Sequence, residues 1–223
     1  MRISTITIYG ADPSLAEVAR GALQGSYAGI IPRDSIFFFP SRAVRSAILA
    51  VDPNILALSI FREGLTSISI KADERVAIGR WCGLAPTQGV EEYCYLFDAN
   101  GLVYAAAAST TETVNPFTLY APLVGNTLEP LHSTIIRAES LPATFDFARQ
   151  LATFGSQVRS IIINGDEVND YLVSGSRVTY VLGGEQAAFT ALTSAKGSFT
   201  LADGSIDYID LRFPGKVYLK RKE

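Results

Sequence analysis

Only one histidine, His132, is available to any acid–base or nucleophilic apparatus in these 223 residues. A Ser-His-Asp arrangement would have to be built on it, yet no Gly-x-Ser-x-Gly elbow leads into a helical stretch. In Thr193-Ser194-Ala195-Lys196 the serine and lysine stand two apart, which is not the Ser-x-x-Lys spacing. Asp73-Glu74 and Glu91-Glu92 are adjacent carboxylates, and neighbours on a strand point to opposite faces rather than into one site. Gly183-Gly184 has neither the spacing nor the lysine of a phosphate loop. Two cysteines, Cys82 and Cys94, with one histidine fall short of a structural four-ligand metal set. The residues therefore predict no catalytic site, no cofactor and no metal.

The cysteines lie near the ends of two adjacent strand-like segments. If the intervening loop folds back they can form a disulfide, contributing about 3 kcal/mol in an oxidising compartment; otherwise they are two reduced, packed thiols. The other stretch with a chemical use is Ile206 to Lys220. Ile206 to Arg212 mixes β-branched, aromatic and charged residues in near alternation, and Pro214-Gly215 interrupts the pattern. Beyond it, Val217 and Leu219 share one face and Lys216, Tyr218 and Lys220 the other, which predicts a short last strand at a sheet edge. An edge is either protected, here by lysines, or a rail for another chain. The second use makes the protein a binding module, with Phe213 and Tyr218 as anchors and Lys216 and Lys220 attracting an acidic segment.

These features need a framework to hold them. A chain of this length buries about 70% of its extended surface, and 48% hydrophobic against 18% charged residues marks a globular composition. Net charge is −3 and the only dense basic cluster is Lys220-Arg221-Lys222, so nucleic acid is excluded as the expected partner. The longest apolar stretch, Ala47 to Phe61, is broken at Asp52-Pro53 and is too short to span a bilayer. Met1-Arg2-Ile3-Ser4 does not open a signal peptide. The chain starts directly in a strand pattern, as either a segment following a membrane anchor or a complete cytoplasmic protein would.

Ile6 and Ile8 alternate with Thr5, Thr7 and Tyr9 in a first strand ended by Gly10. Asp12-Pro13 predicts a capped helix to Gly25, and Ser41 a second one stopped by Asp52-Pro53. Leu56-Leu58-Ile60 and Ile68-Ile70-Ala72 form a hairpin about Arg62-Glu63-Gly64. The order strand, helix, helix, strand, strand is a small sheet with both helices on one face. Between the helices, alternate members of Ile36-Phe37-Phe38-Phe39 either fill the core or leave an aromatic patch outside. Further on, Tyr95–Phe97 and Leu102–Tyr104 flank a turn at Asp98–Gly101, while Ala105 to Tyr120 reads as loop or edge strand. A helix capped by Ser140 places Leu141, Phe145, Ala148, Leu151 and Ala152 inward and closes at Gly155. Ile161–Ile163 is a buried strand, Tyr171–Val173 and Arg177–Leu182 a hairpin, and Glu185–Ala195 a helix before the Asp203-Gly204 turn. The class is α+β: a β-α-α-β-β domain over residues 1–72, then a mainly antiparallel β domain with two flanking helices over 73–223.

Four stretches resemble the extracytoplasmic part of the FtsQ/DivIB cell-division proteins. They are Ile6–Gly10, Leu65 to Trp81 with Glu74-Arg75, the Asp98-x-x-Gly101 hairpin from Tyr95 to Tyr104, and Ile209-Asp210-Leu211-Arg212-Phe213, the most specific of them. The resemblance implies a POTRA domain followed by a β domain, held outside the cytoplasmic membrane by a single spanning helix ahead of Met1. That placement agrees with a disulfide. It further implies a non-enzymatic scaffold without cofactor or small-molecule substrate. Such a scaffold recruits FtsB/DivIC-like and FtsL-like single-pass coiled-coil proteins to the septum. Carried onto this chain, the partner-binding residues are Arg212, Phe213, Gly215, Lys216, Val217, Tyr218 and Leu219. The competing expectations are a POTRA-bearing periplasmic part of an outer-membrane assembly or secretion protein, and a secreted hydrolase.

Overall fold

A computed structural model describes residues 1–86, 93–108, 110–125 and 129–222. It divides into two compact units, Met1–Arg75 and Val76–Glu223.

In the first unit the order is β1 (Thr5–Tyr9), α1 (Leu15–Ala22), β2 (Ser26–Tyr27), β3 (Ile31–Pro32), α2 (Ser41–Val51), β4 (Ile55–Glu63) and β5 (Ser67–Glu74). The sheet runs β1-β5-β4, with β1 parallel and β4 antiparallel to β5. Ile6 and Ile8 stand beside Ile68 and Ile70, which face Arg62 and Ile60 across the hairpin. Val44 and Ile48 of α2 and Leu15 and Ala19 of α1 close the core over Ile68 and Ile70. Each fully buried aliphatic side chain contributes about 1.5–3 kcal/mol, so this face holds the unit together. Gly10 is held at φ +76°, and a Cβ there would sit 2.4 Å from the Ala72 carbonyl oxygen, which is why β1 can end against β5 only with glycine.

Three details depart from expectation. A small antiparallel hairpin, β2–β3, lies between the helices. Neither expected cap forms: Asp12 Oδ1 accepts the Ser14 N–H in a turn before α1, and Ser41 is already helical with Pro40 at the cap position. Of the aromatic run, Ile36 is buried and Phe39 half-buried, while Phe37 and Phe38 are exposed; a tight turn from Ser35 to Phe38 breaks the alternation.

The second unit continues with β6 (Gly79–Trp81), β7 (Tyr95–Phe97), β8 (Val103–Ala106), β9 (Thr118–Tyr120), β10 (Leu123–Val124), β11 (Thr134–Ile135), α3 (Leu141–Leu151), β12 (Val158–Asn164), β13 (Glu167–Leu172), β14 (Arg177–Val181), α4 (Glu185–Ala195), β15 (Ile206–Asp210) and β16 (Tyr218–Arg221). Among the described residues nine strands form one sheet in the order β16-β15-β14-β13-β12-β9-β6-β7-β8. The sheet is mixed: most of its pairings are antiparallel, as expected, but β9 is parallel to both β6 and β12, and β14 is parallel to β15. The Ala105–Tyr120 stretch thus supplies a central strand, β9, in place of the expected loop or edge. Helices α3 and α4 touch each other and lie over β12 and β14. Leu141, Phe145, Ala148 and Leu151 of α3 point inward as expected, and Phe147 packs on Tyr180 with ring centroids 4.4 Å apart. Ala152 is exposed, because the helix tightens into a 3-10 turn at Ala152–Phe154 that brings Phe154 in instead.

Candidate functional site

Residues 206–222 form a β-hairpin at one rim of the large sheet. Ile206, Ile209 and Leu211 are buried in the core, anchoring β15. A turn then reverses the chain, Lys216 donating its N–H to the Phe213 carbonyl at 3.0 Å with Gly215 at φ +70°. The strand that follows begins at Tyr218, so Phe213, Gly215, Lys216 and Val217 stand in or just after the turn and only Tyr218 and Leu219 of the expected site are in β16.

Among the described residues β16 pairs antiparallel with β15 alone, Tyr218 opposite Asp210 and Lys220 opposite Tyr208. Lys222 donates its N–H to Ser205 O at 2.9 Å. By alternation the backbone of Lys220 and Tyr218 also faces β15, and that of Arg221, Leu219 and Val217 faces away from the sheet. The Val217 and Leu219 side chains pack on the core, while Phe213 and Tyr218 are about half exposed, at 50% and 47%. Their rings meet edge to face at 5.3 Å, a geometry that favours aromatic pairs. At the opposite rim the outward N–H and C=O of Val103, the first residue of β8, are taken by Ser133 and His132.

Arg212 is tied back into the sheet. Its Nε and Nη2 fork onto Asp210 at 3.0 and 2.6 Å, and Nη1 reaches Glu167 Oε2 at 2.5 Å. Asp210 also accepts the Arg212 N–H. These hydrogen bonds hold the Asp210 carboxyl below the usual range despite its burial and raise the guanidinium's pKa. From Glu167 the network runs to Asn169 at 2.9 Å and on to Thr179 at 2.7 Å. The Asp-Leu-Arg sequence therefore clips β15 to β13 across β14, with Leu211 turned into the core between its two charged neighbours. Glu167, Asn169 and Thr179 gave no sign of this in the sequence, because the Arg212–Glu167 contact spans 45 residues.

On the helix-covered face, Asp170 alternates with Val168 and Leu172 and is fully buried, with neither carboxylate oxygen in a hydrogen bond of good geometry among the described residues. Burial pushes its carboxyl well up, the nearby Tyr180 phenol holding it back and Glu185 adding to the rise. The Tyr180 phenol is itself pushed up by burial and then by Asp170 and Glu185.

Cys82 and Cys94 form a disulfide, joining the ends of β6 and β7. His132 is exposed, at φ +66°. Asp73 and Glu74 are exposed on β5, and Glu91 and Glu92 lie outside the described residues. Ser194 Oγ donates to the Thr190 carbonyl within α4, Lys196 lies over the Phe154 ring, and the Gly183 N–H donates to Glu185 at the start of α4. Among the described residues, no group of three or more His, Cys, Asp or Glu side chains could hold a metal ion, and no helix is long and apolar enough to cross a membrane.

No protein-family model matches the chain, and no curated protein matches it.

Proposed function

We propose that this chain is the extracytoplasmic part of a non-catalytic cell-division scaffold, similar to FtsQ/DivIB, that binds small single-pass coiled-coil partners of the FtsB/DivIC and FtsL kind by accepting a strand on β16. The observation that carries the reading is a rim strand whose outer backbone pairs with no other strand among the described residues, next to an exposed aromatic pair. The order of the first unit, β-α-(hairpin)-α-β-β with β1 between neither neighbour in sequence but beside β5, supports the POTRA resemblance. The disulfide supports an oxidising, extracytoplasmic setting. Each main-chain hydrogen bond contributes only about 0.5–1.5 kcal/mol net, so Phe213 and Tyr218 supply selectivity. Lys216, Lys220, Arg221 and Lys222 draw in an acidic partner segment at a rate that salt reduces.

The test is capture of co-expressed FtsB/DivIC-like and FtsL-like partners by the chain and its Leu219→Pro variant. The Leu219 N–H faces away from β15, so proline removes an outward donor while leaving the β15 pairing in place. Capture is expected to fall about tenfold or more, equivalent to about 1.4 kcal/mol, while the variant still melts cooperatively, at a modestly lower temperature because the partly buried Leu219 side chain is lost from the core. Undiminished capture by a folded Leu219→Pro protein sinks the reading.

A further inference from the structure

The first unit has two chemically different ends. β1, α1, α2 and the β4–β5 hairpin run alternately up and down, so Met1–Ser4, the last turn of α1, the β2–β3 hairpin, Phe37-Phe38 and the Gly64–Thr66 turn all gather at one end. Backbone hydrogen bonds fix this gathering: Ile3 to Asp34 at 2.8 Å, Ile36 to Met1 at 3.2 Å, and Ser4 to Thr66 at 2.8 Å. Arg2, Arg20 and Ile30 line one cleft of about 540 Å³ there.

Large apolar side chains stand in solvent at this end. Ile30, at the tip of the β2–β3 hairpin, is 84% exposed; Phe38 is 62% and Phe37 54% exposed, with Leu65 also outside. The hairpin turn places Ala28 and Gly29 at positive φ, which lifts Ile30 to the tip. Arginines surround these groups. Arg33 lies over the Tyr27 ring, and Arg62 donates to the Phe37 carbonyl. Arg42 stands in the first turn of α2, where no acidic residue accompanies it and where the helix dipole disfavours a cation. With Arg2 and Arg20 there are five arginines, facing the carboxylates Glu17, Asp34 and Glu63. The far end carries the opposite balance: Asp12, Asp52, Asp73 and Glu74 against Lys71 and Arg75.

We infer that the Ile30/Phe37/Phe38 end of the first unit docks on an anionic phospholipid surface, the aliphatic tip and two phenylalanines entering the headgroup boundary and the arginines meeting lipid phosphates. Exposed apolar side chains collared by arginines that outnumber the carboxylates beside them, five to three, with the balance reversed at the other end, are complementary to a bilayer face that is apolar beneath and negative above. This surface is separate from β16 and does not depend on strand addition there.

Flotation of the 223-residue chain with vesicles of phosphatidylcholine alone, or with increasing phosphatidylglycerol, tests it. Binding is expected to rise with phosphatidylglycerol and to fall with salt. It is expected to weaken about fivefold for each of Arg2→Gln and Arg42→Gln and to be lost in Ile30→Asp/Phe38→Asp, at positions exposed enough to leave the core intact. The emission of an Ile30→Trp variant should shift to the blue on anionic vesicles, and Leu219→Pro should float like the parent chain. Failure to float at any phosphatidylglycerol content overturns the inference, as does equal flotation of the double variant. So does lipid-free self-association in sedimentation that the double variant abolishes, which would make this end a protein–protein seam. Should the double variant melt early, the two arginine variants and the Ile30→Trp emission carry the same decision.

Discussion

Asp170 occupies a position where an apolar side chain would be expected. Its neighbours along β13, Val168 and Leu172, are core residues, and the carboxyl group among them has no hydrogen-bond partner of good geometry among the described residues. Burial raises its pKa in the folded chain, so the folded state holds the proton to a higher pH than the unfolded one does. The sign follows from linkage: the contribution is most favourable below the unfolded carboxyl's pKa and is lost as pH rises from there towards the folded value. An Asp170→Asn variant should therefore be more stable than the parent at pH 7, with the gap narrowing as pH falls towards about 4. Urea melts of both proteins across that range check this, and a gap independent of pH would contradict it. Asp210 behaves in the opposite sense, since Arg212 lowers its pKa; its contribution is present above the unfolded value and is lost as pH falls through the folded one.

Secondary-structure elements differ in how far their sequences announce them, and the difference is physical. Helix α4 was legible to the residue because Gly184 and Gly197 bracket a run of good helix formers. The hairpin at Asp98–Gly101 was legible too, for Asp98 Oδ1 accepts the N–H groups of Asn100 and Leu102 and Gly101 alone of the turn takes positive φ, at +73°. Strand β9 was not, since its three residues sit in a Thr-rich stretch and become a strand only by lying between β6 and β12. The rim of the sheet was readable from the alternation of Val217 and Leu219 with charged neighbours, but the start of β16 at Tyr218 depends on the turn at Phe213–Lys216. Gly79 in β6 shows how close the strands of this sheet and their side chains come. A Cβ there would lie 2.8 Å from Cζ of Phe97, a fully buried ring. Gly79→Ala should cost about 1–3 kcal/mol through overpacking, visible as a lower melting temperature; a neutral result would mean that Phe97 has room to move.

For the whole molecule, the two units are stabilised by different means. Met1–Arg75 relies on aliphatic packing between one sheet face and two helices, whereas Val76–Glu223 adds a covalent tie between β6 and β7. Closing a loop of this size contributes about 3 kcal/mol in the chain-entropy model. Reduction, or a Cys82→Ser/Cys94→Ser double variant, should lower the stability of the second unit by about that amount and leave the first unchanged, as unit-resolved hydrogen exchange would show; equal loss in both would contradict it. The single tryptophan bears on such measurements. Trp81 is buried in the second unit, its indole N–H donating to the Ala121 carbonyl at 2.8 Å. Its fluorescence consequently reports on Val76–Glu223 and is blind to Met1–Arg75, while far-ultraviolet circular dichroism registers both. Unfolding followed by the two signals side by side tells whether the units melt as one cooperative body or in sequence.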